Sequence, residues 1–200
     1  MGGGNKAGDA VASVAESWLS EGPMGNTLRG GDYRDFLAGA YGDGDTARSI
    51  ATSCAVFAGA CLILAEVMAP HGIPTKRAIH TWLGVKGFAS DPSWRSVADL
   101  EAHGGPLRGD VFYICSTQGK LGNYVWTTWE AAANGHVGVC LDDGWVTRTA
   151  EGGGSPGGTT CRMSAEPKDI RKMGRTLRGI WRPGALPPPT IVGPYPGRSA

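Results

Sequence analysis

The sequence predicts an α+β domain: helices first, one buried central helix, then an antiparallel sheet of five to six strands against it. Three observations carry this. The run Cys54 to Ala65 (CAVFAGACLILA) is apolar around its whole circumference, as a helix enclosed by protein is. From Gly109 onward the chain breaks into short runs rich in Val, Ile, Tyr and Thr between turn residues. The 33 Gly in 200 residues are over twice the usual share of about 7%, which calls for many tight turns.

Taken in order, residues 1–8 (MGGGNKAG) read as a flexible arm. Ala10 to Leu19 reads as a short helix, with Asp9 as N-cap and apolar residues at 11, 14, 15, 18 and 19. Residues 20–46 are Gly-rich and read as turns, with a short apolar piece at Tyr33 to Leu37. Thr52 or Ser53 can cap the central helix, and Pro70 and Gly72 end it. Asp45-Thr46 offers a longer helix that would put Cys54 in mid-helix. Residues 75–104 read as one or two helices with loops. The predicted strands are 110–115, 136–141, 145–150, 159–164 and 175–181. From residue 184 the chain is Pro-rich and reads as an extended tail. The chain thus divides into an arm (1–8), one domain (9–183) and a tail (184–200).

Composition excludes several classes. With 19 Lys+Arg against 18 Asp+Glu the net charge is +1, which argues against nucleic-acid binding. The longest apolar run is twelve residues, short of the roughly 20 that span a membrane, so membrane insertion is not expected. The N-terminus lacks the apolar core of a secretory signal, so the expectation is synthesis in a cytosol. Five Cys without a CxxC pair and four His without a close pair give no zinc-finger spacing; no metal or cofactor is expected.

Cys54 sits where a helix start lowers a thiol's pKa, because free N–H groups and the helix dipole favour an anion. The Cys54 backbone N–H is a candidate oxyanion donor there. The plainer reading of Cys54 is a small buried apolar residue. His136 opens a strand after Asn134-Gly135 and could act as base, or be an ordinary strand-edge residue. A two-residue turn at Asp143-Gly144 would set Asp142 opposite Trp145 and His136 opposite Glu151. A carboxylate there fixes the imidazole tautomer. Glu151 reads otherwise as an exposed carboxylate before the Gly152–Gly154 loop. Trp126 and Trp129, between two strands, are candidate stacking platforms for substrate or packing residues. Cys61, seven residues after Cys54 on nearly the same helix face, reads as a core residue; Cys115 and Cys140 fall on adjacent strands that could bring them close, and read as buried thiols without a bridge.

Cys54-Ala-Val-Phe57 at a helix start, Gly109-Asp110-Val111 opening a strand and Gly135-His136-Val137-Gly138-Val139 come in an order that resembles the papain-like peptidoglycan amidases, the CHAP and NlpC-type domains. The resemblance covers residues 46–182. It implies a papain-like fold with Cys54 as nucleophile, His136 as base and Glu151 as the orienting residue. It implies a cysteine amidase or endopeptidase acting on peptidoglycan or muropeptides. With no signal peptide, the expected setting is a secreted antibacterial effector of type VI kind, delivered to a target-cell periplasm and blocked by an immunity protein, or a phage-type lysin. The alternatives are a papain-like protease or deamidase acting on protein, and a catalytically silent binding or phage structural domain.

Overall fold

A computed structural model of the chain describes residues 5–20, 27–41, 54–67, 93–121, 123–127, 135–152 and 160–184. Helix α1 is Lys6–Ser20. It starts three residues before the predicted cap at Asp9, whose amide already donates to Asn5 O at 2.8 Å. Part of the predicted arm is therefore helical. Strand β1 (Thr27–Arg29) leads into α2 (Gly30–Tyr41), a helix within the Gly-rich stretch whose composition predicts turns. The helix is held by packing: Phe36, Leu37 and Ala40 are buried, and Phe36 lies 5.3 Å from Trp18 and 5.6 Å from Phe57 between ring centroids. Tertiary burial of about 1.5–3 kcal/mol per large side chain overrides the weak local propensity of a Gly-containing segment.

Helix α3 (Cys54–Leu64) is the central helix, buried from Ala55 to Ile63. It stops before the predicted Pro70 and Gly72, which lie outside the described residues, as do Asp45, Thr46, Thr52 and Ser53. The stop is a Schellman closure. Val67 N donates to Leu62 O (3.0 Å) and Glu66 N to Ile63 O (2.9 Å). Glu66 takes the left-handed position at φ 58°, where glycine is usual.

After β2 (Trp94–Ser96), Ser96 caps the short helix α4 (Val97–Ala102) by accepting from Asp99 N. The remaining strands are β3 (Val111–Cys115), β4 (Gly119–Leu121), β5 (Tyr124–Trp126), β6 (Gly135–Cys140), β7 (Val146–Thr147), β8 (Thr149–Gly152), β9 (Thr160–Met163), β10 (Lys168–Asp169) and β11 (Thr176–Trp181). The main sheet is seven-stranded in the order β1-β9-β8-β6-β3-β11-β2, antiparallel throughout. The three-residue strands β1 and β2 at its edges bring it one strand beyond the predicted five to six. β4–β5 and β7–β10 are separate two-stranded ribbons. The architecture is mixed α+β.

Alternation along the strands divides the core in two. Val111, Tyr113, Cys115, Val137, Val139, Leu141 and Trp181 pack on α1, α2 and α3. Phe112, Ile114, Cys140, Leu177 and Ile180 face the other way, onto Leu100 and Ile170. β3 lies between β6 and β11 and is buried on both faces, which explains its unbroken apolar run VFYIC.

The Gly109-Asp110 signature has a structural cause. Gly109 adopts φ +83°, and a Cβ there would stand 1.9 Å from Gly8 O of α1. Asp110 is fully buried and accepts from Leu107 N (2.7 Å) and Arg182 Nη2 (2.8 Å).

Candidate active site

The start of α3, the start of β6 and the end of β8 meet at one point. Cys54 is the first residue of α3 and is half-buried. Its thiol is hydrogen-bonded to the His136 side chain and to the backbone amides of Val137 and Ala55. Burial alone would raise the thiol pKa. The His136 hydrogen bond and charge, joined by the two amides, outweigh that and lower it.

His136 is the second residue of β6. Its Nε2 lies 2.7 Å from Glu151 Oε2, which leaves Nδ1 as the ring nitrogen for Cys54. Burial opposes the charged ring, but the hydrogen bonds to Cys54 and Glu151 raise its pKa to about 9. Glu151 is buried, which works against ionisation. Donors from His136, Lys168 and Thr149 nevertheless lower it to about 2. At neutral pH a charged imidazole therefore stands against an ionised Glu151, beside a thiol whose pKa the ring lowers.

The register expected from a two-residue turn at Asp143-Gly144, with His136 opposite Glu151, is not the one the fold uses. β6 pairs β8 as Val139↔Ala150 and Cys140↔Thr149. Glu151 thus stands opposite Gly138, not His136, and reaches the ring diagonally. The two-residue turn is absent: Leu141 N donates to Arg148 O, and Asp142 N to Thr147 Oγ1, so the connection is six residues long. Asp142 also binds Arg148 N and its guanidinium, which stabilises this wider loop. The error was two residues, an even number, so Glu151 kept its face.

Other contributors carried no signal in the reading. Thr149 Oγ1 donates to Glu151 Oε1 at 2.5 Å, and Lys168 Nζ also binds Oε1. Thr149 lies two residues from Glu151 on one strand face, so alternation could have found it. Lys168 comes from the β7–β10 ribbon, which no local pattern links to the site. Tyr113 lies near Cys54 and hydrogen-bonds Cys115; burial and these thiols hold its hydroxyl protonated. Gly135 makes room for it, since a Cβ there would stand 2.4 Å from the Tyr113 hydroxyl.

Trp129 lies outside the described residues. Trp126 contributes backbone to β5, but its side chain lies outside the description. His71 and His80 also lie outside it; His103 is exposed at the end of α4 and bonded to Asp99. Cys61, Cys115, Cys140 and Cys161 are buried and in no disulfide. Burial, with Cys161 nearby, pushes the Cys61 thiol up. Cys115 and Cys140 are not close as adjacent strands had implied. Cys115 pairs with Gly135 while Cys140 N bonds Asp110 O at the other end of β3, and the two side chains belong to opposite faces.

Among the described residues, no group of three or more His, Cys, Asp or Glu could hold a metal ion, and no helix is long and apolar enough to cross a membrane. No protein-family model, no curated protein and no solved structure matches the chain.

Proposed function

We propose that this chain is a papain-like cysteine hydrolase of the CHAP or NlpC type that cleaves an amide bond in bacterial peptidoglycan. The observation that supports a hydrolase most directly is the bonded series Cys54–His136–Glu151, with the thiol pKa lowered and the imidazole held charged. The choice of peptidoglycan follows from the ordered Cys-x-x-Phe, Gly-Asp and Gly-His-Val signatures.

In the proposed reaction the Cys54 thiolate attacks the amide carbonyl carbon, and the carbonyl π pair moves onto oxygen. Amides at the α3 start, including that of Cys54, are the candidate donors to this oxyanion. As the intermediate collapses, the C–N bond breaks and His136 protonates the departing amine. A thioester remains. Water adds to it, giving a proton to His136, and the thiolate leaves as the acid is released. Glu151 keeps the imidazole oriented and offsets its charge throughout. The corresponding setting is an effector or lysin acting in a target-cell periplasm, with an immunity protein that blocks access to Cys54 in the producer.

Mass spectrometry of defined muropeptides digested by wild type and by Cys54→Ala tests the reading. New amines or carboxyls from wild type alone are expected. Intact muropeptides together with a cleaved or deamidated protein substrate would redirect the reading to a protease or deamidase. Cys54 alkylated by iodoacetamide no faster than a free thiol at neutral pH would leave a silent domain.

A further inference from the structure

We propose that Lys168 is a positioning residue of this site, which clamps Glu151 against His136 from a separate ribbon of the fold. The inference rests on the reading of Cys54 and His136 as the reacting pair, but not on the identity of the substrate.

The two carboxylate oxygens of Glu151 are used differently. Oε2 meets His136 Nε2 at 2.7 Å. Oε1 accepts from Thr149 Oγ1 and from Lys168 Nζ. Thr149 is two residues away on the same strand and moves with Glu151. Among the described residues Lys168 is the one partner that approaches from outside the main sheet, on β10, which pairs with β7 through Lys168↔Thr147. Holding a long lysine side chain still costs rotamer entropy, so its backbone must itself be fixed. It is. Asp169 accepts from Arg171 N (3.0 Å), Nε (2.9 Å) and Nη2 (2.8 Å). Ile170 N donates to Trp145 O at 3.1 Å, and the Arg171 guanidinium sits 4.9 Å from the Trp145 ring centroid. The braced turn presents Lys168 to Glu151.

The charged and titratable groups around the imidazole come from every neighbouring element. They are Cys54 on α3, Tyr113 on β3, Glu151 on β8 and Lys168 on β10, with the Cys140 thiol on β6 near Glu151. Arg162 on β9 is opposed to Glu151 in the ladder but is exposed.

A clamp and a bystander charge predict opposite signs. If Glu151 stayed in place without Lys168, the surroundings of the imidazolium would become more negative, and its pKa would hold or rise. If Lys168 is the clamp, Glu151 swings away and the imidazolium loses its counter-ion. Its pKa then falls from about 9 toward the ordinary 6.5.

The test is an NMR titration of the His136 imidazole in the full chain, wild type against Lys168→Met, with circular dichroism to confirm folding. The expected result is a midpoint lower by at least about one unit. Lys168→Arg should restore it. In a Glu151→Gln background the Lys168→Met change should have no further effect, because the two act in series. If Lys168→Met fails to fold, Lys168→Gln carries the same test with a neutral donor retained. Where activity is measurable, kcat should fall on the order of tenfold with KM little changed, the size of one lost charge-assisted hydrogen bond. An unchanged or higher midpoint, or an equal shift in the Glu151→Gln background, overturns the proposal. Failure to cut muropeptides alongside the expected titration shift removes the substrate reading and leaves Lys168 in this role.

Discussion

Glu151 and Gly138 oppose each other across the β6–β8 ladder, and the carboxylate side chain crosses the space that a Cβ at 138 would occupy. That Cβ would stand 2.9 Å from Glu151 Cγ and 2.6 Å from the Phe112 ring. Gly138 is therefore a condition for the diagonal reach from Glu151 to His136. Gly138→Ala should displace either the carboxylate or the Phe112 ring and destabilise the fold by about 1–3 kcal/mol, as overpacking does. Thermal unfolding and the alkylation rate of Cys54 check it together. A variant with wild-type values in both would show that the strand absorbs the methyl group without moving Glu151.

The three bonded groups differ in what their loss should do. Cys54→Ala removes the nucleophile, and activity should fall by at least about 10³-fold with the fold intact. His136→Ala should cost nearly as much. Glu151→Gln keeps a hydrogen-bonding group beside the ring but not its charge. It should cost on the order of 10–100-fold, toward the low end of what losing an acid–base group costs. Steady-state kinetics of the three variants rank them, and an His136→Ala protein as active as wild type would remove the mechanism.

A buried ion pair outside the site predicts a stability effect without a chemical one. Asp110 is fully buried against Arg182, and burial pushes its carboxyl up to about 6 despite that partner. Asp110→Ala leaves the Leu107 amide without this acceptor and the part-buried Arg182 guanidinium with Gly105 O but no counter-ion. The expected loss is about 3 kcal/mol, read from denaturant unfolding. The alkylation rate of Cys54 in the folded fraction should match wild type. A large change in that rate would tie Asp110 to the site.

How far the sequence led can be judged from these residues. Cys54 and His136 were legible because helix starts and strand starts leave local marks: an apolar run, an Asn-Gly pair in the sequence, a β-branched strand. Strands β3, β6, β9 and β11 were legible for the same reason. Helix α2 was not, since Phe36, Leu37 and Ala40 are helical through what they pack on. The Glu151 register was misplaced because side chains of Asp142, Thr147 and Arg148 stabilise a longer loop than the Asp-Gly pair implies. Lys168 was invisible because its contact with Glu151 joins the β7–β10 ribbon to the main sheet through tertiary structure alone.

The ion-pair chain also predicts the shape of the stability profile. His136 has a folded pKa raised from 6.5 to about 9. Its contribution is fully present below pH 6.5 and is lost as pH rises through about 9. Glu151 is lowered from 4.5 to about 2, so its contribution is present above pH 4.5 and lost as pH falls through about 2. The site therefore favours the folded chain most between those flanks. Asp110 runs the other way: with its carboxyl raised from 3.8 to about 6, its contribution is lost as pH rises through that interval. Comparing wild type with Glu151→Gln cancels the Asp110 effect, since both proteins share it. The difference in thermal midpoint should be largest near pH 5–7, roughly, and shrink toward both extremes. Cys54→Ala should lower the pH at which the His136 contribution is lost, because it removes one partner of the ring, and should leave the acid flank in place, because Glu151 keeps its own donors. A difference between wild type and Glu151→Gln that stays flat from acid to alkali would mean that the imidazole and the carboxylate do not share a proton-linked contact in the folded protein.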